Sequence, residues 1–154
     1  MYTGCDNPFA PNINYSQSTQ SANISDLKFA EGVFQNLQYA YTFKDTLIYG
    51  QLLNPEFTFT YRDYDLGYDV SWGRQEEMRI TSGLFQNSER LNLIWNNIVS
   101  YTPDSTQLVR GFDLTIVFNP SDVVRIDGRV NLQLKKDSIS GKWQILNWND
   151  ESNF

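Results

Sequence analysis

The strongest constraint on the fold is a strict alternation of apolar and polar residues near the C-terminal end of the chain. Apolar residues or glycine occupy the even positions of residues 123–135, and most of the intervening odd positions are polar. A polar segment, residues 136–141, separates this run from a second one at residues 142–150. Because a period of two places one side of a strand against the core, the two runs predict a long antiparallel hairpin with a buried face.

Composition limits the classes of function. A chain of 154 residues with 40% hydrophobic and 15% aromatic residues is expected to form one packed domain. The net charge of −6 disfavours nucleic acid as a partner. There is no histidine and a single cysteine, so histidine catalysis, an intramolecular disulfide and a cysteine metal cluster are disfavoured, and we expect no cofactor or metal. No apolar run approaches the roughly 20 residues of a membrane-spanning helix.

The order of predicted elements gives the fold class. Residues 1–24 are polar and predict an N-terminal arm, and residues 25–154 predict a single domain. A first helix is predicted from near Asp26, a second from Asp45 to about Leu52, and a third from near Trp72 to about Asn87. Strands are predicted at residues 57–61, 91–101 and 112–118, with a loop at residues 62–70, before the closing hairpin. This order predicts an α+β fold whose N-terminal helices cover one face of a curved antiparallel sheet.

Several sequence segments carry a family resemblance. They are NLQYAYTFKD (residues 36–45), LLNPEFTFTY (52–61), WGRQEEM (72–78), GRVNLQLKKD and GKWQILNWND. Across residues 25–150 the chain resembles the nuclear transport factor 2-like superfamily, whose fold is a cystatin-like cone. It resembles a group of uncharacterised bacterial members, which are often exported and lipid-anchored. The superfamily includes isomerases, dehydratases, cyclases, transport factors and assembly domains, so the resemblance implies a fold and leaves the function open.

The N-terminal segment TGCDNPFAP, residues 3–11, is similar to the mature start of a bacterial lipoprotein. That likeness implies Cys5 as a lipidation site and an exported protein of the cell envelope or extracellular space. Only four residues precede Cys5, and they include no charged region and no apolar region of a signal peptide. The alternative is that Cys5 is a lone thiol.

Large apolar residues are expected to line the inside of the cone, as a core or as a pocket. They are Phe34, Phe57, Phe59, Trp72, Trp95, Phe112 and Leu114. No catalytic motif is matched. Tyr39, Tyr41 and Asp45, on or near the first helix, are of the right type for Tyr/Asp chemistry of the kind that ketosteroid isomerase performs, and Tyr41 with Asp45 is the catalytic alternative. Asp113 and Asp127 alternate out of phase with the apolar residues, which places them on the opposite face.

Two groups of charged residues are expected to be ordinary surface residues. Asp63, Asp65 and Asp69 lie around Gly67 in a spacing that faintly resembles a calcium loop, but the position of the closing glutamate holds Arg74, so solvated loop acids are expected. In the third helix, Arg74 and Glu77 are expected to form a surface pair beside Trp72.

The last strand predicts a contact surface. The positions of Trp143 and Trp148 differ by an odd number, so the two side chains should face opposite sides of the sheet, and we expect Trp148 on the outer face with Leu146 and Val117. Phe9, Ile13 and Tyr15 of the arm could add a strand to a neighbouring copy, which gives a dimer or an open-ended homo-oligomer. The leading hypothesis is therefore a non-catalytic binding or self-assembly module. The alternative is a carrier of a small apolar ligand, or a Tyr/Asp-dependent isomerase or lyase that uses the cone.

Overall fold

The computed structural model describes residues 26–152 and contains three helices and six strands in that range. The predicted arm and the four residues proposed within it, Cys5, Phe9, Ile13 and Tyr15, lie outside the described residues. The elements in chain order are α1 (Ala30–Phe43), α2 (Thr46–Leu52), β1 (Leu53–Asp63), β2 (Tyr68–Gly73), α3 (Arg74–Asn87), β3 (Arg90–Tyr101), β4 (Gln107–Asn119), β5 (Asp122–Lys136) and β6 (Trp143–Ser152).

All six strands form one sheet in the order β2-β1-β6-β5-β4-β3. The run from β3 to β6 is the predicted antiparallel meander, and the β5–β6 pair is the predicted closing hairpin. The β1–β6 pair is parallel, so the sheet is mixed rather than wholly antiparallel. The helices pack against one side of the sheet, here called the inner face, and the opposite side is called the outer face.

The segment predicted as a loop at residues 62–70 is instead the end of a hairpin between β1 and β2. Its turn is closed by the Asp63 side chain, which accepts hydrogen bonds from the backbone N–H groups of Asp65 and Leu66. Gly67 has a φ of 75°, a conformation that favours glycine. The sequence did not predict β2, because its alternating apolar residues Val70 and Trp72 follow a segment rich in aspartate.

Helix α1 begins at Ala30, later than the predicted start near Asp26. The carbonyl oxygen of Asp26 accepts a hydrogen bond from Phe29 N–H, which forms a turn before the helix. A Cβ atom at Gly32 would lie 2.1 Å from that same oxygen, so only glycine lets the turn pack on α1. The predicted start of α2 is confirmed, since the Asp45 side chain accepts from the backbone N–H groups of Leu47 and Ile48.

An irregularity in the final hairpin changes the facing of β6. Gln133 pairs with Asn147, whereas the next residue of β5, Leu134, pairs with Ile145, so Leu146 is an extra residue in a β-bulge. Ile145 and Trp148 therefore lie on the same face, and both are buried. The prediction that Trp148 lies on the outer face was wrong, because it assumed an uninterrupted alternation.

Gly128 allows β5 and β6 to lie close together where it pairs with Ser152. Its strand partner is Ser152, and a Cβ atom at position 128 would lie 2.4 Å from the Ser152 Cα atom. Real Cβ contacts are never that short, so any side chain here must push β5 and β6 apart.

We expect Gly128→Ala to destabilise the protein by about 1–3 kcal/mol, the usual cost of overpacking against a backbone that must move. Gly83→Ala is the matched control, because Gly83 lies within α3 with nothing inside 4 Å of the added methyl group. There the same change should stabilise by roughly 0.5–1 kcal/mol through helix propensity. Urea unfolding of both variants tests this, and equal effects of the two substitutions would contradict it.

Candidate functional site

Four aromatic rings gather on the inner face where β1, β2 and β6 lie side by side. The Phe59 and Trp72 rings stack at 4.7 Å, and the Tyr61 ring lies 5.6 Å from Trp72. The Trp148 ring lies 6.0 Å from Phe59. The register explains the grouping, because Phe59 is the cross-strand partner of both Trp72 and Trp148. These four residues are called the aromatic cluster below, and three of them are only partly buried while Trp148 is 8% exposed.

A buried carboxylate lies beside the aromatic cluster. Glu77 of α3 is 5% exposed, and its Oε1 atom accepts hydrogen bonds from the Tyr49 hydroxyl at 2.6 Å and the Thr81 hydroxyl at 3.0 Å. Its Oε2 atom accepts from Trp72 Nε1 at 2.6 Å. The predicted surface pair of Arg74 and Glu77 was therefore wrong. Arg74 instead donates to the Gly50 carbonyl oxygen, and Glu77 faces the core.

The two tyrosines near Glu77 stay protonated. Burial raises the pKa of Tyr41 well above its ordinary value, and the negative charges of Glu77 and Asp150 raise it further. Burial, followed by the neighbouring Tyr41 and Glu77, raises the pKa of Tyr49 in the same direction. Both phenols are therefore neutral groups at ordinary pH and can serve as hydrogen-bond donors.

Asp150 is a second carboxylate on the inner face. It pairs across the sheet with Val130, which is a core residue, and with Tyr61 of the aromatic cluster. Its two oxygens accept hydrogen bonds from the backbone N–H and the hydroxyl of Ser152, at 3.0 Å each. Burial raises the pKa of Asp150 from its ordinary value, and the Ser152 hydrogen bonds oppose that shift.

The Trp148 indole has a polar group without a partner. Its Nε1 atom is inaccessible to solvent and donates to no hydrogen-bond acceptor among residues 26–152. By contrast, the indoles of Trp72 and Trp95 donate to the Glu77 carboxylate and to the Phe34 carbonyl oxygen. Leaving a buried donor without an acceptor costs about 1–3 kcal/mol, so this N–H lowers the stability of the described part of the chain by itself.

The positive charge of Arg110 on the inner face is neutralised by Glu31. The Nη1 atom of Arg110 on β4 donates to both carboxylate oxygens of Glu31 at 3.0 Å, and the Arg110 guanidinium lies 4.9 Å from the Phe34 ring. Within the described part of the chain, neither Glu77 nor Asp150 has a Lys or Arg within ion-pair distance. The inner face beside the aromatic cluster is therefore electronegative.

The other predicted site residues have clear positions. Phe34, Phe57 and Phe112 are buried in the core, while Trp95 and Leu114 are partly buried against it. Val117 and Leu146, predicted as interface residues, are half-buried in the chain by itself. Tyr41 lies on the inner face near Asp150, whereas Asp45 is committed to capping α2. Asp113 and Asp127 are exposed, as their alternation predicts.

Two shallow depressions occur elsewhere on the described surface. One, of about 450 Å³, lies over the outer face beside Asp113, Asp127 and Glu151, and another, of about 680 Å³, lies between α2, β1 and α3. Neither includes the unpaired Trp148 indole. No group of three His, Cys, Asp or Glu side chains among residues 26–152 is arranged to hold a metal ion. In the same range, no helix has the length and apolar character needed to cross a membrane.

Comparisons with solved structures identify the fold. A Kribbella flavida protein is similar with a TM-score of 0.68 and 8% identity, over 88% of this chain and 93% of that one. A Novosphingobium aromaticivorans protein assigned by name as a scytalone dehydratase is similar with a TM-score of 0.67 and 11% identity, over 80% and 81% of the two chains. A nuclear transport factor 2-like protein of unknown function from Shewanella baltica is similar with a TM-score of 0.56 and 14% identity, over 90% and 98%.

The chain therefore has the α+β cone of the nuclear transport factor 2-like superfamily. No protein-family model matches the sequence, and no curated protein matches it either. The α+β fold predicted from the sequence is confirmed.

We expect Glu77→Gln to destabilise the protein by ~2 kcal/mol. An amide cannot accept from Trp72 Nε1 on one side and from two hydroxyls on the other, so one donor must face the new NH2 group. The control is Glu76→Gln, which removes the same charge from an exposed neighbour paired with Arg79. Urea unfolding should separate the variants clearly, and equal midpoints would show that the buried carboxylate is dispensable.

Asp150 should make stability depend on pH. Because its pKa is raised in the folded state, the folded chain holds this proton more tightly than the unfolded chain, whose value stays near 3.8. Its contribution is therefore lost as the pH rises from that value through the folded-state pKa. Asp150→Asn lacks this loss, so its stability relative to the unmodified protein should increase as the pH rises from below 3.8 towards neutrality. Urea unfolding across that range measures the difference, and a difference that is constant with pH would refute the assignment.

Proposed function

We propose that this protein binds a small, largely apolar molecule on the inner face of its cone, with the Trp148 indole and the Asp150 carboxylate as polar anchors. The observation that carries the proposal is the Nε1 atom of Trp148, which is buried and has no acceptor among residues 26–152. Ligand sites in proteins are typically apolar surfaces with a few placed polar groups, and the aromatic cluster with these two anchors has that character.

The composition of the anchors indicates what a ligand should present. An indole N–H only donates, so it requires a carbonyl, ether or hydroxyl oxygen. A structural neighbour is assigned by name as a scytalone dehydratase, and another as a SnoaL-like polyketide cyclase. Those names support the use of this fold around small molecules, while the low identity leaves the ligand of this chain to its own residues.

A catalytic version of the site would use Tyr41 with Asp150 rather than with Asp45. Asp150 lies close enough to Tyr41 for its charge to raise the tyrosine pKa, whereas Asp45 is held at the start of α2. A neutral phenol and a carboxylate facing one ligand are the groups required for acid–base chemistry next to a carbonyl. Binding is the primary proposal, because it requires nothing beyond the unpaired donor and the aromatic surface.

The binding proposal is tested with a matched pair of molecules, 2-acetylnaphthalene and 2-ethylnaphthalene, which differ in a carbonyl acceptor. We expect the ketone to bind more tightly, and Trp148→Phe to weaken its binding about 5- to 20-fold because the variant keeps an aromatic ring and loses the donor. Binding of the hydrocarbon should be unchanged in the variant. Isothermal titration calorimetry measures the affinity of each molecule for the parent protein and for the variant. If neither molecule binds the parent protein, the proposal is contradicted.

A second function, self-association, is favoured by a different surface from the one predicted. The edge strand β3 exposes four large apolar side chains: Ile94, Ile98, Val99 and Tyr101. An unpaired strand edge with apolar side chains is a surface on which a second chain can pair. Trp148 takes no part in this proposal, because it lies in the core. Export and lipid attachment through Cys5 are separate proposals, which rest on the N-terminal sequence alone.

Light scattering during size-exclusion chromatography tests self-association. We expect a mass above that of one chain, and we expect Val99→Lys to return the protein to a monomer because a charge at an exposed edge opposes pairing. Leu47→Lys is the control, since Leu47 is an exposed apolar residue on α2, away from the β3 edge. A monomeric parent protein at high concentration would remove this function.

A further inference from the structure

We propose that the ligand of the inner face is an organic cation, a molecule whose amine or quaternary ammonium group lies between the aromatic cluster and Asp150. This inference rests on the binding function proposed above and specifies the chemical class of the ligand. It is carried by the combination of stacked aromatic rings, an adjacent carboxylate and the absence of a Lys or Arg within ion-pair distance of that carboxylate among the described residues.

The aromatic cluster supplies the surface that organic cations prefer. The faces of aromatic rings carry partial negative charge and attract ammonium groups, and tryptophan is the strongest of the aromatic residues in this role. The cluster contains two tryptophans, and Phe59, Tyr61 and Trp72 are partly exposed. The stacking of Phe59 on Trp72 uses one face of each ring.

Asp150 supplies the charge. It is the direct strand partner of Tyr61, so its carboxylate is placed at the margin of the aromatic cluster. Its two known hydrogen bonds both come from Ser152 and carry no positive charge, which leaves acceptor positions on each oxygen. A carboxylate beside aromatic rings attracts a cation more strongly than either group does separately, because the surrounding apolar residues keep the local dielectric low.

Anionic and neutral ligands are both less suited to the inner face than a cation is. An anionic ligand would meet Glu77 and Asp150 without a compensating cation, since Arg110 is already paired with Glu31. A neutral hydrocarbon would place no positive charge beside the Asp150 carboxylate, whose hydrogen bonds come only from Ser152 among the described residues. A cation that also carries an oxygen acceptor satisfies the aromatic faces, the carboxylate and the indole together.

The test uses a pair of molecules of the same shape, phenyltrimethylammonium and tert-butylbenzene, which differ in charge alone. Calorimetry with the full chain should show the cation binding about tenfold more tightly than the hydrocarbon. The variant Asp150→Asn should weaken cation binding about tenfold and leave hydrocarbon binding unchanged. Asp113→Asn is the matched control, because it removes one negative charge from the outer face.

The outcomes separate this inference from the function on which it depends. If tert-butylbenzene binds as tightly as the cation, the site takes apolar ligands and the cation inference is overturned. If neither these probes nor the naphthalene pair bind, the binding function itself fails. If Asp150→Asn does not fold, Tyr61→Leu takes its place, since Tyr61 is partly exposed. That variant should weaken cation binding severalfold, and equal binding by the variant would refute the aromatic contribution.

Discussion

The arrangement of the cone around its inner face depends on the buried carboxylate of Glu77. It accepts hydrogen bonds from α2 through Tyr49, from β2 through Trp72 and from its own helix through Thr81. A buried charge of this kind is tolerated only when its acceptor positions are filled, so the three donors must be held where they are. Trp72 is thereby fixed in the orientation in which it stacks on Phe59, and the aromatic cluster follows from that contact.

The second constraint is the β-bulge at Leu146. Without the extra residue, Trp148 and Asp150 would both face outward, and the inner face would have neither an unpaired donor nor the second carboxylate. Bulges re-aim side chains and are common beside functional sites. Here a single inserted residue determines which side of the sheet carries the polar groups of the candidate site.

Much of the fold could be predicted from local patterns, because alternation and capping act over a few residues. The closing hairpin followed from a period of two, and Asp45 was recognised as the start of α2. The position of Trp148 could not be predicted, since a bulge leaves no mark in the alternation itself. Glu77 could have been found: it precedes Thr81 by four residues and Phe85 by eight, which places it on the buried side of α3. Its charge argued for the surface, and only the donors contributed by α2 and β2 reversed that expectation.

The most direct test of the account is the indole region of a 1H–15N correlation spectrum, in which the four tryptophans of the chain give four resonances. The Trp148→Phe variant identifies the resonance of interest. The account predicts that this N–H has no hydrogen bond in the free protein and moves strongly downfield when a ligand with an acceptor and a cationic group is added. A Trp148 resonance that is already hydrogen-bonded, and that stays in place while the ligand binds, would contradict the proposed site.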